Sequence, residues 1–448
     1  MSDQLDLAIL ANADAAWDFL ERLVRERSTV GQEQAAMDIF ADEAERVGLT
    51  CQRLPFSNTP EPDRRAGVNQ PAGQLSAGRY QVLATTPGDG PLTLLLNGHM
   101  DVVPADAPEQ WTRPPFAPYR RDGRMFGRGA ADMKSGFAVG LLALRALRDV
   151  APQLFANRRL GFVAVVEEEC TGNGTLRSIV DHGVVAPEVI VLEPTDLGLL
   201  IGGVGVLWVD VSVVSGSGHA KTADGQVNAV ELGMRVVAGL KRWLATIAES
   251  HPEPALATNR NPYALNLGKV QAGDWTSSVA SLASFGLRVG FPRAWTAEMA
   301  EDAVRRAIAG IAAADPDFAV QPIVTLSGFR AEGYLLDRAA PLLRDLAAAH
   351  RATHGVDPGI YAVGATTDAR TYLNGFGIPA ICFGATGYDL HGIDESVDLQ
   401  SIVGAARTLA RFILMRFDGD TRNGDTQNGD TQNGETQNGE TQIGDTRI

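Results

Sequence analysis

The sequence predicts an α/β protein of two domains, and three observations predict it. Helical and strand periodicities alternate from the N-terminus to Gly203, which favours a layered fold on a mixed, mostly parallel sheet between helices. From Gly203 the order changes to β-α-β-β-α-β, the ferredoxin-like or split βαβ arrangement of an α+β domain. After residue 328 the helix and strand patterns return, so the second domain is inserted in the first. At 448 residues the chain also exceeds the usual size of one core.

The elements follow in order. "AAMDIFADEAERVG" has apolar residues at helical spacing and stops at Gly48, while "RYQVLAT" and "LTLLLNG" read as strands. "SGFAVGLLALRALRDV" is a long helix, and the strands "RLGFVAVV" and "VIVLEP" flank a short helix after Gly174. In the insert, the strand "VGVLWVDVSVV" leads to the long helix "NAVELGMRVVAGLKRWLATIAES". Two strands around 263–291, a helix near 296–314 and the strand "FAVQPIVTL" follow. "LLRDLAAAH" and "IPAICFG" then complete the first sheet. The expected boundaries are 1–204 with 328–418 for the main domain, 205–327 for the insert and 419–448 for a tail.

Composition excludes several classes. The chain is 45% hydrophobic and 21% charged, with no apolar run long enough to span a bilayer. A formal charge of −15 disfavours nucleic acid, since binding phosphate requires a basic surface. The start "MSDQLDLAILANADAAWDFL" carries acids where a secretory signal carries Lys or Arg, and reads as a helix of the mature chain. Cys51, Cys170 and Cys382 match no disulfide or zinc-ribbon spacing, which points to a reducing compartment, the cytoplasm. The tail repeats a five-residue unit from Gly419 to Ile448 without aliphatic periodicity, so it is expected to be disordered and dispensable for chemistry.

Polar residues collect where strands end. "LLLNGHMDVVP" closes an apolar run on His99 and Asp101, Glu167, Glu168 and Glu169 follow a second strand, and Glu193 ends a third. Asp132 lies in the Gly-rich loop "GRGAADMKSG", and His391 in "LHGIDES" follows a late strand. Ligands of open α/β sheets gather at these carboxyl edges. So many carboxylates with two imidazoles are tolerable there only around cations. Two metals close together need a shared carboxylate, for which Asp132 is the best placed, and a ligating imidazole donates its other N–H to a carboxylate or carbonyl, which Asp101 could offer His99.

"GHMDVVP", "GRGAADMKSG", "VVEEECTGNGT", "VLEPTD" and "HGIDES" closely resemble, in order and spacing, the motifs of the acetylornithine deacetylase and succinyl-diaminopimelate desuccinylase family of dinuclear zinc amidohydrolases and metallopeptidases. The resemblance covers about residues 10–416. It implies two divalent ions, zinc with cobalt as a substitute, one held by His99 and Glu193, the other by Glu169 and His391, with Asp132 shared. Aligning the glutamate turn puts Glu167 at the family's Asp position, Glu168 as general base and Glu169 as ligand. The resemblance also implies a cis peptide from Asp132 to Met133 and a catalytic role for Asp101 beside His99. It further implies an oxyanion-binding His219 in a lid and dimerisation domain, and Arg288 and Arg370 as substrate-carboxylate ligands.

The chemistry implied is hydrolysis of an amide in a small N-acylated amino acid or related amine, by a metal-bridged hydroxide with Glu168 moving the proton. The partners implied are that substrate and a second copy through the insert, with neither nucleic acid nor membrane. An N-formyl aminopyrimidine deformylase, a carboxypeptidase or a dipeptidase shares the same chemistry. A catalytically silent dimeric binding protein is the reading from another class, and the presence of Glu168 disfavours it. "AGDWTSSVAS" resembles the Trp-containing turn of deacetylase-like members more than the desuccinylase turn. His350 and His354 form HxxxH without the Glu of a zincin, and suit a helix C-terminus before Gly355. Glycines in "IGGVGVLW" fit a hinge, not a phosphate loop.

Overall fold

The computed structural model describes residues 2–69, 77–256 and 261–424. Its main sheet has nine strands. Eight follow the order Thr50–Pro55, Tyr80–Thr85, Leu160–Val165, Leu94–His99, Val189–Val191, Ala380–Cys382, Leu199–Gly203, Tyr334–Leu335, and Ile360–Val363 also pairs with Leu199–Gly203. The sheet is mixed, with a parallel centre: Leu94–His99 pairs in parallel with both Leu160–Val165 and Val189–Val191, and Val189–Val191 with Ala380–Cys382. Central strands read as continuous apolar runs because helices cover both faces. Leu94 and Leu96 join the larger core beneath the helices Lys134–Val150 and Leu399–Gly424, whereas Leu95 joins the opposite core with Ala369 and Tyr372. Gly136 and Gly140 let the helix Lys134–Val150 press on Leu192 and Phe162, where a Cβ would overlap its neighbours. Phe40, Phe137 and Phe162 fill the gap, with ring centroids 5.0–5.4 Å apart.

The insert is a four-stranded antiparallel sheet in the order Leu265–Ala272, Leu282–Phe291, Gly205–Val214, Ile323–Ala331. The helices Ala229–Ser250 and Ala297–Ala313 complete the βαββαβ unit, and both cover the face of Val209, Val211 and Phe285. The opposite face, with Trp208, Asp210 and Arg288, lines a cleft towards the main domain. The strand read as "FAVQPIVTL" lies further on, at Ile323–Ala331, and crosses residue 328. Its pairing with Gly205–Val214 shifts between Leu326 and Arg330, around Gly328 at φ 55°, so it bends there without ending.

A third sheet is absent from the sequence reading. Gly387–Tyr388, Ser396–Asp398, Arg124–Phe126 and Tyr119–Arg121 form four short antiparallel strands. Asp122 and Gly123, both at positive φ, make the hairpin turn, and the Asp-Gly pair was its available signal. The final helix Leu399–Gly424 runs into the repeat expected to be disordered from Gly419, since an established helix extends one hydrogen bond at a time. The remainder of that tail, 425–448, lies outside the described residues. No helix among the described residues is long and apolar enough to cross a membrane.

Candidate metal centre and active site

His99 is the last residue of a buried strand and is itself 1% exposed. Its Nε2 lies 3.3 Å from Asp132 Oδ1 and 3.8 Å from Glu193 Oε1. His391 Nε2 lies 3.3 Å from the other Asp132 oxygen and 3.1 Å from Glu169 Oε1. Asp132 therefore stands between two imidazoles, one oxygen towards each. Ligand atoms of His99, Asp132 and Glu169 fall within 4.8 Å of one another. The peptide Asp132–Met133 is cis, as the resemblance implied.

Electrostatics fits cations at this point. Burial pushes Glu193 up to about 8 and Glu168 well above the carboxylate range. Burial alone would lower His99, but Glu193, Asp132, Glu168 and Asp101 together hold it well above its ordinary value. Glu169 chiefly raises His391 to about 11. Burial disfavours ionised Asp132 too, yet the imidazoles of His391 and His99 keep it below its ordinary value. Two nitrogens and three carboxylates with one shared acid suit a pair of borderline divalent ions.

Asp101 meets His99 through its backbone carbonyl, one of the two acceptors the sequence allowed. The ring Nδ1 of His99 lies 2.9 Å from the backbone carbonyl of Asp101 and 3.8 Å from its carboxylate. The carboxylate instead accepts the N–H groups of Glu168 at 3.2 Å and Glu169 at 3.0 Å. Its place is thus to hold the glutamate loop against the His99 strand. Glu167 anchors that loop from behind, at φ 60°, with Arg79 at 2.7 Å and Thr171 Oγ1 at 3.0 Å. Arg79 also donates to Glu33 at 2.9 Å, and these three side chains are fully or almost fully buried.

Glu168 lines a cleft of about 340 Å³ with Glu169 and His391 on one side and Trp208, Asp210 and Arg288 on the other. Arg288 donates to the Gly364 carbonyl at 2.8 Å, and burial lowers its pKa. Arg370 does not line this cleft. It is 3% exposed, donates to the carbonyls of Thr367 and Thr171, and stands 3.9 Å from Glu168. His219 is exposed at the start of the short helix Ala220–Gly225, where its Nδ1 accepts the Lys221 N–H, and it does not line its own chain's cleft. His350 and His354 lie with ring centroids 4.4 Å apart and tilted at 36°, bonded to the Val356 carbonyl and to Thr408. Arg79, paired with Glu167, and the buried pair Arg128 and Glu395 beside Asp132 are neighbours that the sequence reading missed, although Arg128 lies within the quoted "GRGAADMKSG" and Glu395 within "HGIDES".

The pattern of peptidase family M20/M25/M40 matches residues 95–415. The chain is 27% identical over 417 residues to a succinyl-diaminopimelate desuccinylase of Paracoccus denitrificans (strain Pd 1222), covering 88% of this chain and 96% of that protein. It is 34% identical over 206 residues to an acetylornithine deacetylase of Photorhabdus laumondii subsp. laumondii, covering 46% of this chain and 51% of that protein. The solved structure of human carnosine dipeptidase 1 shares the fold, with a TM-score of 0.71 and 14% identity over 93% of this chain and 100% of that chain. The matched region runs from the strand that carries His99 into the final helix, and the chain belongs to peptidase family M20/M25/M40.

Proposed function

We propose that the protein is a metal-dependent deacylase that hydrolyses the amide of a small N-acyl amino acid or related amine. The observation that carries this reading is Glu168, a buried carboxylate at the cleft floor beside, and outside, the paired contacts of His99, Asp132, Glu169 and His391. His99, Glu193, Asp132, Glu169 and His391 would hold two divalent ions, zinc foremost. When bound, such ions supply Lewis-acid activation of a water and of the amide carbonyl. Glu168 accepts the proton from the attacking water and hands it to the departing nitrogen, which leaves only as an amine. Burial favours its protonated form, which suits a proton carrier. Asp101 and Glu167 keep it in place through the loop backbone.

Arg288, facing the cleft from the insert, takes the substrate carboxylate. His219 reaches an oxyanion only from a second copy, paired through the 205–327 insert. Three free thiols, two of them buried, support a reducing compartment. Acetyl is the acyl group proposed first, and both named deacylase relatives support the class. The test is turnover by zinc- or cobalt-loaded protein on N-acetyl, N-succinyl, N-formyl and dipeptide panels. Turnover on none of them, with metal bound, would favour a silent binding protein.

A further inference from the structure

Glu395 is a charged side chain with no exposure, four residues beyond His391. One carboxylate oxygen accepts the N–H groups of Ala131 and Asp132, each at 3.0 Å. The other accepts the N–H of Gly129 at 3.1 Å and pairs with the Arg128 guanidinium. These four donors engage the lone-pair sites of a carboxylate, so Glu395 is occupied by the chain and is no spare metal ligand. Arg128, 2% exposed, donates through its other arm to the carbonyls of His391 at 3.1 Å and Gly392 at 3.2 Å. His391 sits at φ 61°, a conformation that a non-glycine residue holds only when its surroundings impose it.

The two loops are also tied at their roots. Ser396 pairs with Phe126 in the small sheet, and the Gly127 N–H donates to the Glu395 carbonyl at 2.9 Å. Each loop thus grips the other twice, through side chains that reach across and through backbone pairing. A buried ion pair is weak support for stability, since apolar residues of similar volume often do as well, and its best-attested gain is geometry.

We propose that Arg128 and Glu395 are positioning residues that lock the loop of Asp132 to the loop of His391. The lock thereby sets the affinity for the ion that these two residues share. This rests on the metal-centre reading above. The test is cobalt titration of the full chain, followed by calorimetry and visible absorption, for wild type, Glu395→Gln and the double variant Arg128→Met with Glu395→Gln. The double variant leaves no lone buried charge, so it keeps the fold while removing the lock. The expected result is a cooperative thermal transition in both variants, one cobalt retained, and the second bound about 10- to 100-fold more weakly with an altered absorption band. Variants that fold and bind two cobalt ions as wild type does would overturn the lock alone. Wild type that takes up no cobalt would overturn the lock and the metal centre together.

Discussion

Glu168 meets its neighbours with little freedom: its N–H is taken by Asp101, and its carboxylate lies 3.9 Å from Arg370. Glu168→Gln keeps the shape and removes the proton carrier, so bound zinc should persist while kcat falls by about 10²- to 10⁴-fold. Metal analysis and steady-state kinetics on the same sample check this, and activity near wild type would put the base elsewhere. At this scale His99, Asp132, Glu168, Glu169, Glu193 and His391 were legible, because their residue types mark strand ends and short motifs. Arg128 and Glu395 were not. Their contact joins residues 267 apart, and one chain's sequence carries no sign of which arginine meets which acid.

At the scale of elements, Arg79 immediately precedes the strand Tyr80–Thr85 and serves two acids from different loops. Arg79→Met would leave Glu33 and Glu167 buried without a counter-ion. A loss of about 3–5 kcal/mol in urea unfolding is expected. The helix Pro341–His354 offers a second prediction. Burial holds His350 and His354 below their ordinary value of 6.5, with nearby Arg407 adding to the effect on His354. Below about pH 6.5 the unfolded chain therefore binds protons that the folded rings refuse, so stability declines as pH falls, and above it neither ring contributes. His354→Gln should flatten that decline in thermal melts between pH 7 and 5. Helices and long strands were readable from their periodicity, whereas the short strands of the third sheet, two or three residues each, are too brief for any period to register.

For the whole molecule, bound ions link chemistry to folding. Ions held only by the folded chain stabilise it by about 2.7 kcal/mol at a hundredfold excess over Kd, so zinc should raise Tm and a chelator should reverse the rise. Truncation after Phe417 should leave kcat and KM unchanged, because the repeat has no apolar face to pack. Steady-state kinetics of the shortened chain checks it. The two-domain plan was legible because βαββαβ is a distinctive order. The ninefold sheet was less so, since strand order depends on pairings between distant segments.

The insert enters and leaves the main domain at one place. Val206 and Ala331 are partners in its sheet, and Gly203 and Tyr334 are partners in the other. Once the insert has folded, the segment destined for Tyr334–Leu335 emerges beside the strand it must join. The chain-entropy penalty of closing so long a loop is then borne by the insert's own folding, and the pairing of Tyr334–Leu335 with Leu199–Gly203 faces only a short local closure.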